Sequence, residues 1–174
     1  LSNHVDAYLD IETTGLFPNS HDITVVGIYV DNGQQDRLVQ LVGEQVTREN
    51  LLCSLEGTTT IFTYNGSRFD LPFIQERLGL DLAGRYNHWD LMFDCWRNNL
   101  YGGLKKVETM LGISRAVKGV DGLEAVRLWW RYCKASDSDA LKRLLDYNRE
   151  DLVNLKTLRG VLSGRGACKG PSGW

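Results

Sequence analysis

Residues 5–16 read Val-Asp-Ala-Tyr-Leu-Asp-Ile-Glu-Thr-Thr-Gly-Leu, with Val5, Ala7, Leu9 and Ile11 alternating against Asp6, Tyr8, Asp10 and Glu12. A period of two is the signature of a β-strand, so this stretch is expected to open a sheet and to end at its acids. Asp10 and Glu12 stand two apart and therefore point to the same face. Two carboxylates in one pocket repel each other unless a cation neutralises them, and hard oxygen ligands in this pattern suit Mg²⁺ or Mn²⁺. An isolated D-x-E is more often one wet face of a strand, so the pair needs company before it means chemistry.

Outward from this strand, the turn-rich segment 14–20 leads to β-branched runs at 23–30 and 37–42, separated by the Asp31-Asn32-Gly33 turn signal. That pattern predicts an antiparallel meander. Residues 47–55 read as a short helix capped by Thr47, and 58–64 as another strand running into a loop at Asn65 and Gly66. Helical spacing then takes over at 68–78, 91–98, 104–111, 123–133 and 137–162, before a Gly-rich stretch from Ser163. Strands first, then a crossover helix and further helices, predict an α/β domain over 1–162 in which helices flank a mixed central sheet in three layers. Residues 163–174 are expected to form a flexible tail.

Composition agrees with a packed domain. The 174 residues are 43% hydrophobic and 24% charged, with 18 Gly and 3 Pro, which excludes collagen-like and wholly disordered classes. No apolar run approaches the roughly 20 residues of a membrane span, so no membrane role is expected. Cys53, Cys95, Cys133 and Cys168 are widely spaced without a C-x-x-C pair, pointing to a reducing, cytoplasmic setting. The chain opens on Leu1 with no basic-then-apolar leader, as expected of a processed form or, in preference, of a piece of a longer chain, which leaves room for flanking domains. Oligomeric state is not legible.

Charge is unevenly spread: residues 1–84 carry 4 basic and 12 acidic side chains, residues 85–174 carry 16 and 10. Metal ions need carboxylates and phosphates need Lys and Arg, so the division suits a metal-dependent enzyme acting on a polyanion as well as it suits two solvated surfaces. Asp70 stands near the start of a predicted helix, where any lone Asp is a natural cap or first-turn acid. Tyr147 and Asp151, four apart on the last helix, share a face beside a leucine stripe, as an ordinary surface pair would.

Taken together, Asp10-Ile11-Glu12-Thr13-Thr14-Gly15-Leu16, Asn65-x-x-x-Phe69-Asp70 and Tyr147-x-x-x-Asp151 resemble, in order and spacing, the three exonuclease motifs of the DEDD superfamily. The wider strings Tyr64-Asn65-Gly66 through Phe73, Asp90-Leu91 and Tyr147-Asn148-x-Glu150-Asp151 are similar to bacterial ribonuclease H-like exonuclease domains. Tyrosine in the third motif marks the tyrosine-type branch (DEDDy); the histidine type would carry His five positions before the last acid, where Asp146 stands. The resemblance implies a ribonuclease H-like fold and metal-dependent hydrolysis of single-stranded DNA or RNA from the 3′ end. It implies Asp10, Glu12, Asp70 and Asp151 as ligands of two divalent ions, Mg²⁺ or Mn²⁺, and Tyr147 as the residue that orients water. Thr13, Thr14, Leu16, Asn65 and Phe69 are implied to lie near the terminal nucleotide. A non-catalytic nucleic-acid-binding or interaction module and a structure-selective endonuclease of the same fold stay open beside this reading.

Other conspicuous residues carry less. His88 and Asp90 read more simply as Asp90 capping the next helix than as a metal pair. Trp89, Trp96, Trp129 and Trp130 fit a core as well as base stacking. Lys105, Lys106, Arg115, Lys118, Arg127, Arg131 and Lys134 are candidates for a phosphate track, each individually an ordinary surface charge.

Overall fold

The computed structural model describes residues 4–164. Its frame is a five-stranded mixed sheet of β1 (Asp6–Thr13), β2 (Ile23–Asp31), β3 (Asp36–Val42), β4 (Thr60–Thr63) and β5 (Asn87–Asp90) in the order β3-β2-β1-β4-β5. β1, β2 and β3 pair antiparallel as the meander predicts, whereas β4 joins β1, and β5 joins β4, in parallel. Parallel neighbours require crossovers, which α1 (Arg48–Ser54) and α2 (Asp70–Leu78) supply. The Thr47 hydroxyl accepts the Asn50 amide and starts α1 where the sequence placed its cap.

Alternation along β1 divides two cores. Ala7, Leu9 and Ile11 pack with Leu51, Leu55, Phe73 and Ile74 beneath α1 and α2. Tyr8 turns the other way, to Phe62, Leu91, Leu152, Leu155 and Leu158 under α3 (Leu91–Arg97), α4 (Leu104–Leu111) and α6 (Ser138–Gly164). A third cluster ties α5 (Gly122–Ala135) to α6 through Leu128, Ala140 and Leu144, with Val25 of β2. The result is the expected three-layer α/β arrangement. Because α6 covers the face that holds Tyr8, Asp10 and Glu12, that face is a buried wall and not the wet side of a strand.

β5 is absent from the sequence expectation: Asn87, His88, Trp89 and Asp90 form a short edge strand without β-branched residues, held by pairing with β4. α6 runs to Gly164, two residues past the expected end, and residues 165–174 of the predicted Gly-rich tail, Cys168 among them, lie outside the described residues. Cys53, Cys95 and Cys133 are free thiols. Among the described residues no helix is long and apolar enough to cross a membrane.

Candidate active site

The end of β1 and the middle of α6 meet at a cavity of about 450 Å³. Asp10, Glu12 and Asp151 each bring a carboxylate oxygen to within 4.8 Å of the others. Asp70, on the first turn of α2, is 4% exposed and lines the same cavity, but its Oδ1 accepts the Ile11 N–H at 3.1 Å. The structure thus gathers three of the four expected acids into one cluster and sets the fourth on its flank. Asp70 is also no cap: α2 begins without a side-chain cap bond.

The loop before α2 is clamped from below. Asp90 accepts the Asn65 N–H (2.8 Å), the Ser67 N–H (3.1 Å) and the Ser67 hydroxyl (2.6 Å), and its Oδ1 also accepts the Met92 N–H as the cap of α3. Asn65 adopts φ of 60°, a left-handed conformation that Asn tolerates better than most residues, and this bends the chain from β4 toward Asp70. His88 bonds Thr63 Oγ1 at 2.9 Å, a structural contact within the sheet.

Burial dominates the electrostatics. It pushes the Asp10 carboxyl up to about 7, against the Asn148 hydrogen bond and the Arg115 charge, which pull it down. Glu12 lies well above the usual carboxylate range through burial, then through the charges of Asp10 and Asp70. Asp70 is raised by burial and by Asp10. Crowded, buried carboxylates of this kind are short of positive charge, and all-oxygen donors within a few ångströms of one another match a hard divalent cation. Tyr147 lines the cavity, its phenol raised by burial and by Glu12 and Asp10, so it stays protonated at neutral pH.

Three of the acids have one oxygen held by the protein. Asn148 donates to Asp10 Oδ2 at 2.9 Å, the Ile11 amide to Asp70, and Arg115 Nη2 to Asp151 Oδ1. Arg115 is itself fixed by Glu108, through Nε to Oε2 at 2.5 Å and Nη2 to Oε1 at 3.2 Å, while Asn154 donates to Glu108 Oε1 at 3.0 Å. Its side chain is only 10% exposed. This corrects the phosphate-track expectation for Arg115: its charge is spent on buried carboxylates. Lys105 is likewise turned inward, with Nζ 4.5 Å from the Tyr147 ring centre and bonded to the Val120 carbonyl. Lys106, Lys118, Arg127, Arg131 and Lys134 are exposed. Asn148 and Asn154 carry no local signal of a site role, since Asn148 meets Asp10 across 138 positions and Asn154 meets Glu108 across 46.

Thr13, Thr14, Leu16, Asn65 and Phe69 all line the cavity. The Thr13 hydroxyl donates to the Gly15 carbonyl and the Thr14 hydroxyl accepts the Asp22 N–H, so both brace the turn after β1. Phe69 packs on Phe73 at 4.9 Å, while Leu16 is 73% exposed. Leu123 and Val126 of α5 complete the lining, a contribution that no sequence signal announced. A second cleft, of about 350 Å³ and sharing Asp10, Tyr64, Asn65 and Asp151, continues past Gly102, Gly103 and Leu104. None of Trp89, Trp96, Trp129 and Trp130 lines either cleft. Trp89 and Trp129 pack on the cores, Trp96 lies 5.3 Å from the Arg68 guanidinium, and Trp130 carries Lys134 at 5.5 Å.

A family model described as the RNase_H superfamily matches residues 7–163. The uncharacterized protein YprB of Bacillus subtilis is 29% identical over 87% of this chain, and the chain spans 40% of that protein's length. Among solved structures, the family B DNA polymerase of Pyrobaculum calidifontis is similar over 92% of this chain and 24% of its own, with a TM-score of 0.70 and 16% identity. Brucella melitensis NrnC with bound Mg²⁺ is similar over 94% of this chain and 76% of its own, at a TM-score of 0.61 and 22% identity. At these identities the structural likenesses speak to the shared fold.

Proposed function

The chain belongs to the RNase_H superfamily, and from that premise we propose that it is a metal-dependent 3′-to-5′ exonuclease of the DEDDy type, acting on single-stranded DNA or RNA. The observation that carries this reading is the convergence of Asp10, Glu12 and Asp151, with Asp70 beside them, in a cavity that also admits Tyr147. A binding platform gains nothing from burying mutually repelling carboxylates, whereas phosphodiester hydrolysis needs them to hold cations.

Asp10, Glu12 and Asp151, joined by Asp70, are the residues that would hold two divalent ions, Mg²⁺ or Mn²⁺. Bound there, such ions would acidify the attacking water and offset charge on the departing 3′ oxygen. Tyr147, protonated at neutral pH, orients the water by hydrogen bonding and does not deprotonate it. Leu16 and Phe69 offer apolar surface to the terminal base or sugar, and Thr13, Thr14 and Asn65 line the same cavity. A cytoplasmic setting and flanking domains in a longer chain belong to the same reading, the latter supported by the 40% coverage of YprB.

The test is hydrolysis of a single-stranded oligonucleotide with Mn²⁺ by the wild type and by Asp10→Asn, Glu12→Gln, Asp70→Asn and Asp151→Asn. Loss of at least about 100-fold in each variant, with folded protein, is the expected result, since each removes a charge needed in the transition state. Undiminished hydrolysis in any two of them contradicts the assignment.

A further inference from the structure

One row of residues across the sheet, Asp10 on β1, Gly27 on β2 and Gln40 on β3, lies in register under α6. Above it sits Asn148, fully buried. Gln40 Nε2 donates both to the Leu145 carbonyl (2.8 Å) and to Asn148 Oδ1 (3.0 Å). Asn148 Nδ2 in turn donates to the Asp10 carbonyl (3.3 Å) and to Asp10 Oδ2 (2.9 Å). The polarity of this chain has one solution. A backbone carbonyl only accepts, so the Gln40 NH₂ must face Leu145; its second hydrogen then requires the oxygen of Asn148, and the Asn148 NH₂ is left to face Asp10. Gly27 makes the room, because a Cβ there would lie 2.2 Å from Asn148 Oδ1 and 2.7 Å from Leu152 Cδ1.

We propose that Gln40, Gly27 and Asn148 form a positioning relay that fixes one oxygen of Asp10 by a directed hydrogen bond and so presents the other to a divalent cation. The inference rests on the exonuclease reading above and adds residues that the motifs do not assign. Gln40 touches neither Asp10 nor the cavity; it acts by dictating which end of the Asn148 amide Asp10 meets. Outer residues that orient a ligating carboxylate commonly change metal affinity by about 10- to 100-fold when replaced.

Gln40 is half-buried on an edge strand, so it can be changed with less risk to folding than Asn148. Gln40→Leu removes both donors, leaving the Asn148 oxygen without its partner and the amide held only by the two Asp10 oxygens. Gln40→Glu, ionised, can only accept, so it draws the Asn148 NH₂ toward itself and turns the Asn148 oxygen onto the Asp10 carboxylate. Calorimetric titration of Mn²⁺ into each folded protein is expected to show about 10-fold or greater weakening for Gln40→Glu and a smaller weakening for Gln40→Leu. A purely structural role for Gln40 predicts no such order, since it would move the melting midpoint and leave affinity alone. Equal Mn²⁺ affinity in all three proteins overturns the relay while the exonuclease reading stands, as does a larger loss in Gln40→Leu than in Gln40→Glu. A wild type that binds no Mn²⁺ overturns the exonuclease reading and the relay with it.

Discussion

Replacing Arg115 with Met keeps most of the apolar stem and removes the cation from between Glu108 and Asp151. Glu108 is 1% exposed and would retain only Asn154 as a donor, while Asp151 would lose its bond at Oδ1. Glu150, whose Oε2 lies 3.8 Å from Arg115 Nη1, would lose a neighbouring charge as well. Breaking a buried pair from one side typically costs about 3–5 kcal/mol, because the remaining charge has no compensation. For a chain of this size each kcal/mol moves the melting midpoint by about 2–4 °C, so Arg115→Met should melt about 6–20 °C below wild type. Adding Glu108→Gln removes the stranded charge and keeps the Asn154 acceptor, and should recover more than half of the deficit. Mn²⁺ should narrow the gap without closing it, since a cation at Asp151 does nothing for Glu108. Calorimetric melting of wild type, single and double variants at pH 7, with and without Mn²⁺, reads all of this. A single variant within 2 °C of wild type, or a double variant no better than the single, would refute the network's role.

Tyr147→Phe should slow single-turnover hydrolysis by more than about tenfold, equivalent to 1.4 kcal/mol in the barrier, and leave Mn²⁺ affinity nearly intact; equal rates would remove the hydroxyl from the mechanism. Asp10, held at about 7, keeps in the folded, metal-free protein a proton that the unfolded chain releases near pH 4, so its stabilising contribution is complete below about pH 4 and is lost as pH rises through about 7. Metal-free melting midpoints should therefore fall between pH 5 and 8, saturating Mn²⁺ should remove or reverse that slope, and a flat metal-free profile would contradict the burial argument. Asp90→Ala strands the Asn65 and Ser67 amides and uncaps α3, at about 2–4 kcal/mol. Denaturant titration should show that loss together with reduced hydrolysis, because the same loop delivers Asp70; unchanged stability would mean that the clamp is idle.

What could be read in the sequence follows what is local in the physics. The alternation in residues 5–12, the Asp31-Asn32-Gly33 turn and the Thr47 cap act within a few residues, and β1, the β2–β3 hairpin and α1 appear where these signals place them. β5 escapes notice because its four residues owe their strand form to β4 and not to their own propensity. At the site, Asp10, Glu12 and Asp151 were visible as a pattern and do converge, yet the groups that aim them were not. Gln40 reaches Asn148 across 108 positions and Asn148 reaches Asp10 across 138, so their pairing exists only once α6 lies on the sheet. Gly27 sits in an apolar run with no local signal of its use, which becomes clear only from the Asn148 side chain above it. Arg115 misled for a related reason: a charge between turn residues reads as surface until α4 and α6 close over it.

The central claim, attack on the free 3′ end of a strand, is tested most directly with a 5′-labelled single strand, the same strand blocked at its 3′ end, and a single-stranded circle, each incubated with Mn²⁺. DNA and RNA versions run side by side also report the sugar preference, which turns on how the site meets a 2′-hydroxyl. The account predicts a ladder of 5′-labelled products shortening stepwise on the free linear strand, with the blocked strand and the circle resistant. Cutting of circles as fast as linear strands would contradict it in favour of an endonuclease, and salt-sensitive binding without cleavage of any of them would contradict it in favour of a binding module.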